Sequence, residues 1–208
     1  MRIIGGTARG RRLHTPKNSR VRPTADRVKE AIFNIIGNMI GSYEQIRVLD
    51  IFAGTGNLGI EALSRGAGSA VFVETHRDSV ALIINNLKLT NFAAISRIVQ
   101  KNAPAALDLL SLEGQPFHLI FLDPPYEQGL TEQTLNALGS SPLVDDRTIV
   151  VAEFSARENI SSSFGRLHET DRRTYGDTAV SLLVAKNIGG LLQQTNETRQ
   201  YHHICPRK

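Results

Sequence analysis

From Arg47 onwards the chain alternates short, almost continuously apolar runs with longer segments in which apolar side chains recur every three or four residues. The runs are "RVLDIFA", "AVFVE", "ISRIVQ", "FHLIFLD" and "TIVVAEF". Between them stand "NLGIEALSRG", "HRDSVALIINNLKLTN", "PAALDLLSLEG" and "LTEQTLNALGS". Short runs rich in Val and Ile predict strands buried on both faces, and the periodic segments predict helices. Strands that alternate with helices predict a parallel sheet covered on both sides. After "TIVVAEF" come "GRLHETDRRTYG" and "AVSLLVAK", two strand-like stretches joined at Gly176-Asp177, a hairpin signal. The expectation is an α/β domain whose seven-stranded, mostly parallel sheet ends in an antiparallel pair.

Upstream of this pattern, "RIIGGTARGRRLH" sets short apolar and basic groups around glycines, as a hairpin does, and is too short to have its own core. "RPTADRVKEAIFNIIGNMI" predicts a helix with Thr24 as N-cap, an apolar face of Val28, Ala31, Ile32, Ile35, Ile36 and Met39, and a stop at Gly41. From Asn187 the chain is polar and aperiodic, which predicts a mobile tail. The expected organisation is a basic extension over 1–22, the main domain over 23–186 and the tail over 187–208.

Composition narrows the class. A 208-residue chain with 41% hydrophobic content supports one substantial core. Its single cysteine, Cys205, excludes an internal disulfide framework, and no cysteine and histidine spacing resembles a zinc site. No apolar run approaches the roughly 20 residues that span a bilayer, and a soluble protein of the reducing cytoplasm is expected. The formal charge is +4, yet residues 1 to 30 alone carry +7: Arg2, Arg9, Arg11, Arg12, Lys17, Arg20, Arg22, Arg27 and Lys29 against Asp26 and Glu30. Basic charge segregated in this way attracts phosphate backbones, although a solvated basic arm shows the same pattern.

"LDIFAGTGNLGIEAL" places Gly54-Thr55-Gly56-Asn57-Leu58-Gly59 directly after a strand and at the start of a helix. Gly54 and Gly56 permit a tight turn and close approach of a ligand to the backbone, and Gly59 permits close packing of helix on sheet. The next strand ends at Glu74, 20 residues after Gly54, where an acid can accept from ribose hydroxyls. Both dinucleotides and S-adenosylmethionine use such a pair. Asp50 separates them: it stands inside the first strand, where a dinucleotide fold has an apolar residue and where a carboxylate can face the cationic amino group of a methionine. Asp50 can alternatively cap the loop's own amides. At Lys101-Asn102-Ala103-Pro104, Asn102 either hydrogen-bonds an adenine edge or caps the helix that follows.

The apolar run "FHLIFLD" is cut short by Pro124 and Pro125 and followed by Tyr126. Proline cannot donate to a sheet ladder, and the pair stiffens the segment so that Asp123 and Tyr126 keep a fixed relation at the strand's mouth. Open α/β sheets bind ligands at the carboxyl ends of their strands, which sets this loop beside the glycine turn. Asp123 can accept a hydrogen bond from an exocyclic amine and localise its lone pair, with the Pro124 carbonyl taking a second one. Tyr126 offers a ring face to a base drawn out of its stack. His118 is expected to be a half-buried strand residue rather than a base. Tyr175 and Gly176 shape the last hairpin, and Arg172 and Arg173 add positive charge if they face a nucleic acid.

Together these residues resemble class I S-adenosylmethionine-dependent methyltransferases, which are Rossmann-like. Within that class they resemble the bacterial small-subunit methyltransferase D family, which methylates the exocyclic N2 of a guanine in 16S ribosomal RNA. The likeness covers residues 1 to 186, through "RIIGGTARGRRL", "RPTADRVKEAIFNII", "VLDIFAGTGNLGIEALSRGA", "FVE", "LIFLDPPY" and "YGDTAVSLL". It implies that Asp50, Phe52, Gly54, Gly56, Glu74, Asn102, Ala103 and Asp123 hold S-adenosylmethionine. It implies a catalytic loop of Asp123, Pro124, Pro125 and Tyr126, and RNA contacts from Arg2, Arg9, Arg11, Arg12, Arg22 and Arg27. The partner implied is 16S rRNA within a small-subunit assembly particle, and the chemistry needs no metal. Asn102 departs from the family, in which aspartate is common at that position. Three alternatives are an adenine-N6 methyltransferase acting on nucleic acid, an NAD-dependent oxidoreductase and a non-catalytic RNA-binding module.

Overall fold

All five apolar runs form neighbouring parallel strands, and both of their faces are covered. The structure is a computed structural model that describes residues 1–16, 23–126 and 128–185. Lys17, Arg20, Arg22, Cys205, the expected boundary at 22/23 and the tail from 187 lie outside the described residues. The parallel strands are β1 (Arg47–Ile51), β2 (Ser69–Val73), β3 (Ser96–Val99), β4 (Leu119–Leu122) and β5 (Ile149–Ser155). Three antiparallel strands follow: β6 (Ser163–Phe164), β7 (Leu167–Tyr175) and β8 (Thr178–Ala185). The order across the sheet is β3-β2-β1-β4-β5-β8-β7-β6. The sheet thus has eight strands rather than the seven expected, because β6 is only two residues long and cannot display an alternating pattern.

The helices are α1 (Pro23–Ile40), α2 (Asn57–Ser64), α3 (Arg77–Thr90), α4 (Ala103–Ser111) and α5 (Leu130–Gly139). Helix α1 begins at Pro23, one residue before the expected cap Thr24, and it stops at Gly41, whose φ is 69°. Its buried face is Val28, Ile32, Phe33 and Ile36, while Met39 is exposed, so the apolar stripe is rotated from the expected one. Among the described residues no helix is long and apolar enough to cross a membrane.

Successive side chains of a strand point to opposite faces, and here each face meets a different core. Leu49, Ile51, Ile120 and Leu122 pack with α4 and α5. Val48, Leu119, Phe121 and Phe72 pack with α1, α2 and α3. Burial on both faces is the reason the runs lack an apolar and polar alternation. The first residues join the second core through Ile3, Ala8 and Leu13. They form the expected hairpin, with an antiparallel bridge between Arg2 and Arg12 and a bond from Leu13 N–H to Met1 O at 3.1 Å.

The chain runs outward from β1 through β2 to β3, then crosses back to lay β4 and β5 on the other side of β1. In register, Ile51 is level with both Val73 and Leu122, so the carboxyl ends of β2, β1 and β4 lie side by side. Reversal of strand order between β1 and β4 opens a crevice at those ends. The glycine turn and the Asp123 loop both leave the sheet there.

Candidate active site at the carboxyl ends of the strands

The turn after β1 is held by acids from two strands. Gly54 (φ 55°) and Gly56 (φ 78°) are left-handed, and Phe52 between strand and turn has φ 61°, which is strained for an aromatic residue. A side chain at Gly54 would meet nothing nearer than Phe52 O at 3.9 Å, so the space before the turn is open. Gly59 is different: a Cβ there would lie 2.4 Å from the Phe72 ring and 3.1 Å from Asp50 Oδ2. Helix α2 therefore approaches the sheet as closely as its glycine permits.

Asp50 is buried, and its Oδ2 accepts from Gly59 N–H at 2.9 Å. The loop-capping role is thus present for one carboxylate oxygen. Burial pushes the Asp50 carboxyl up to about 7, opposed by the Gly59 N–H and assisted by the charge of Glu74. Glu74, just beyond β2, reaches back to the turn: its Oε2 accepts from Gly54 N–H at 2.9 Å. Its Oε1 accepts from the N–H groups of Thr75 and His76 at 2.7 and 2.9 Å.

Asn102 caps α4, with Oδ1 accepting from Ala105 N–H at 3.0 Å. The cap alternative is the observed one, and the side chain's NH2 group is the part left to meet a ligand. Ala103 buries its methyl in the α4 and α5 core, so only its backbone can face the crevice. Phe52 is half-buried against the same core.

On the other side of the crevice Pro124 is buried, while Asp123, Pro125 and Tyr126 are exposed. The Tyr126 hydroxyl donates to Glu153 Oε1 at 3.1 Å and shares a hydrogen bond with Thr178 Oγ1 at 3.0 Å. Burial raises the Tyr126 hydroxyl to about 12, so it remains a donor to Glu153. These side chains border an open cavity of about 360 Å³, which Met1, Lys29, Asn57 and residues 175–178 also line. That volume suits a single ring system of small-molecule size. The surrounding protein desolvates the Asp123 carboxyl, and the charges of Glu153 and Asp50 add to the effect, raising it well above the ordinary range. Burial also raises Glu153.

Two features escaped the sequence. Glu153 interrupts the apolar stretch of β5 much as Asp50 interrupts that of β1, and an acid late in a buried strand was the available signal. The second is a buried ionic network. Glu61 is fully buried and accepts from Ile4 and Gly5 N–H, each at 2.8 Å, and from Arg65 Nε at 2.9 Å. Lys29 Nζ lies 3.3 Å from Glu61 and donates to Arg2 O and Asn57 Oδ1, each at 2.7 Å. Lys29 is therefore an internal cation rather than part of the surface charge. The network ties the N-terminal hairpin and α1 to the first turn of α2, beside the cavity.

Arg2, Arg9, Arg11, Arg12 and Arg27 are exposed. Arg2 pairs with Asp26 at 3.2 Å, and Arg11 donates to Leu89 O. Arg172 and Arg173 are paired with Glu169 and Asp171 at 2.8 and 2.9 Å. His118 is partly buried at the opposite, amino end of β4, where its Nδ1 accepts from Arg47 N–H at 3.0 Å. The final hairpin turns at Gly176, whose φ is 63°.

Residues 1–184 match the family model described as "Conserved hypothetical protein 95". The chain is 35% identical over 182 residues to "Putative rRNA methyltransferase YlbH" of Bacillus subtilis (strain 168), covering 88% of this chain and 97% of the relative. It is 40% identical over 153 residues to "Ribosomal RNA small subunit methyltransferase D" of Escherichia coli (strain K12), covering 74% of each. Among solved structures, "Putative methyltransferase yhhF from Escherichia coli" superimposes with a TM-score of 0.76 at 32% identity, covering 89% of this chain and 98% of that one.

Proposed function

Because the chain belongs to the ribosomal RNA small subunit methyltransferase D family, we propose that it transfers a methyl group from S-adenosylmethionine to the exocyclic N2 of a guanine in 16S rRNA. The observation that carries this is the position of Asp123. It stands at the end of β4, on the lip of a base-sized cavity and next to the glycine turn of β1. The work takes place in the cytoplasm on a small-subunit assembly particle, with the exposed N-terminal arginines on its phosphates. The basic extension over 1–22 is the RNA-binding part, beside a catalytic domain into whose core α1 packs.

The residues fit the methyl donor. Among the described residues no lysine or arginine pairs with Asp50, Asp123 or Glu74, so a ligand bearing two positive groups meets acids without a protein cation. When bound, S-adenosylmethionine supplies an electrophilic methyl on a sulfonium. Asp50 would hold its ammonium group and Glu74 its ribose, and the open turn at Gly54 and Gly56 would admit it against the backbone. Phe52, the Ala103 backbone and the Asn102 NH2 would border its adenine.

A guanine amine is a weak nucleophile because its lone pair is delocalised into the ring. Asp123 accepts one of its hydrogens and the Pro124 carbonyl the other, which localises the lone pair towards the methyl. The raised pKa of Asp123 makes it a better acceptor for the departing proton than an ordinary carboxylate. The Tyr126 ring, pinned through its hydroxyl, stacks on the base, a contact that contributes roughly 1–3 kcal/mol.

The test is to incubate the protein and labelled S-adenosylmethionine with small subunits from cells lacking it, then to map the product by mass spectrometry. N2-methylguanine in 16S rRNA is expected. Label in DNA, or on adenine, would overturn the assignment.

A further inference from the structure

The charge of the cavity is unusual for a protein that handles a polyanion. Asp123, Glu153 and Asp177 line it together with the side-chain ammonium of Lys29, which is engaged by Arg2 O, Asn57 and Glu61. Such a wall repels phosphate. The wall suits a group rich in hydrogen-bond donors rather than a phosphate.

Strands β4 and β5 are parallel neighbours with Leu122 level with Ala152, so Asp123, just past the end of β4, stands beside Glu153, which is still paired with Val180 of β8. Neighbouring strands are about 4.8 Å apart, which sets two carboxylates along one edge of the cavity. Glu153 Oε1 is engaged by the Tyr126 hydroxyl, and Oε2 has no hydrogen bond among the described residues. We propose that Glu153 is the residue that selects guanine: Oε2 accepts from the guanine N1–H while Asp123 accepts from the N2 amine. The inference rests on the methyl-transfer reading of this cavity and adds the basis of its choice of base.

Elementary base chemistry makes the pair selective. Guanine is the one common RNA base whose pairing edge carries two adjacent donors. Adenine and cytosine place a ring-nitrogen acceptor beside the amine, and uracil offers one N–H between two carbonyls. An acceptor nitrogen facing Glu153 meets lone-pair repulsion and leaves a carboxylate oxygen without a partner, so discrimination is built by a mismatch as well as a match. The bond from Tyr126 also keeps Glu153 in place, which makes the tyrosine a positioning residue for the selector.

The test uses small subunits reconstituted with RNA that carries either guanine or 2-aminopurine at the mapped nucleotide. The analogue keeps the N2 amine and presents a bare N1 acceptor. Wild type is expected to favour guanine by at least about tenfold in kcat/KM. Glu153→Gln, whose carboxamide can donate to that N1, should bring the two substrates to within a few-fold or invert the order. Glu153→Asp should keep the guanine preference, and Glu153→Ala should lose it. Calorimetry with S-adenosylhomocysteine confirms that each variant is folded, and conclusions are drawn from those that are. Wild type acting equally on both bases, or a guanine preference that survives in Glu153→Gln or Glu153→Ala, would overturn the role of Glu153 while leaving methyl transfer intact. Wild type labelling neither base would overturn the methyl-transfer reading itself.

Discussion

Asp50, inside β1, and Asp123, just past the adjacent β4, are both carboxylates, yet their surroundings give them different work. Asp50 is enclosed and capped by one N–H, and its carboxyl is raised from 3.8 to about 7. A raised carboxyl stabilises the fold fully below the unfolded pKa, and that stability is lost as pH climbs through the folded one. Between pH 3.8 and about 7 the wild type therefore loses up to roughly 4 kcal/mol relative to a neutral isostere. Asp50→Asn keeps an acceptor for Gly59, so it should become progressively more stable than wild type from pH 4.5 to 8 in urea titrations. A stability difference independent of pH would contradict the buried-acid account. The same substitution should weaken S-adenosylhomocysteine binding at pH 8, as calorimetry would show.

Asp123 must be ionised to accept from the amine, and desolvation with the charges of Glu153 and Asp50 holds its carboxyl high. Single-turnover methyl transfer should accordingly fall on acidification at a pH above that of an ordinary carboxylate, near 4. The acidic limb belongs to the Asp123 and Glu153 pair together. A rate that stays flat down to pH 4 would exclude an ionised Asp123 from the step. Asp123→Ala should keep cofactor affinity within a few-fold and abolish transfer, and preserved turnover would remove its catalytic role.

Helix α2 owes its position to two contacts, one in its first turn and one in its middle. Gly59 lets its first turn press on Phe72, and Glu61 in its middle anchors the N-terminal hairpin and Lys29. Gly59→Ala forces a methyl into ring carbon at 2.4 Å, which should cost about 1–3 kcal/mol and loosen the cofactor turn. Glu61→Gln leaves Lys29 buried without its counter-charge, and breaking such a pair costs roughly 3–5 kcal/mol. Chemical unfolding of both variants checks these magnitudes. A loss below about 1 kcal/mol for Glu61→Gln would mean that Lys29 relaxes to solvent.

Across the molecule, the N-terminal hairpin lies at one border of the cavity, since Met1 is among its walls and Arg2, Arg9, Arg11 and Arg12 are exposed on the segment that follows. Basic side chains therefore share a hairpin with one wall of an acidic cavity: the former suit phosphates and the latter a base edge. Replacing Arg9, Arg11 and Arg12 by alanine should weaken RNA binding and reduce the slope of log K against log salt by roughly two to three. An unchanged slope in a salt titration would leave these arginines as surface charge without a partner.

The five parallel strands, their helices and the glycine turn were legible along the chain because each is a local pattern. Strands buried on both faces read as apolar runs, and a close helix-to-sheet approach demands glycine at position 59. The loop "DPPY" was equally visible, since proline must end a strand. Other features depended on long-range pairing. Strand β6 is too short to carry a period, and the face of α1 was displaced because Phe33 packs on Phe121, 5.5 Å away between ring centres. Lys29 and Glu61 looked like surface charges, for burial of a charge is set by a partner 32 residues away. Glu153 was hidden inside an apolar run. Only the strand order, with β4 between β1 and β5, brings it beside Asp123, because hydrogen bonding between strands joins residues that sequence distance keeps apart.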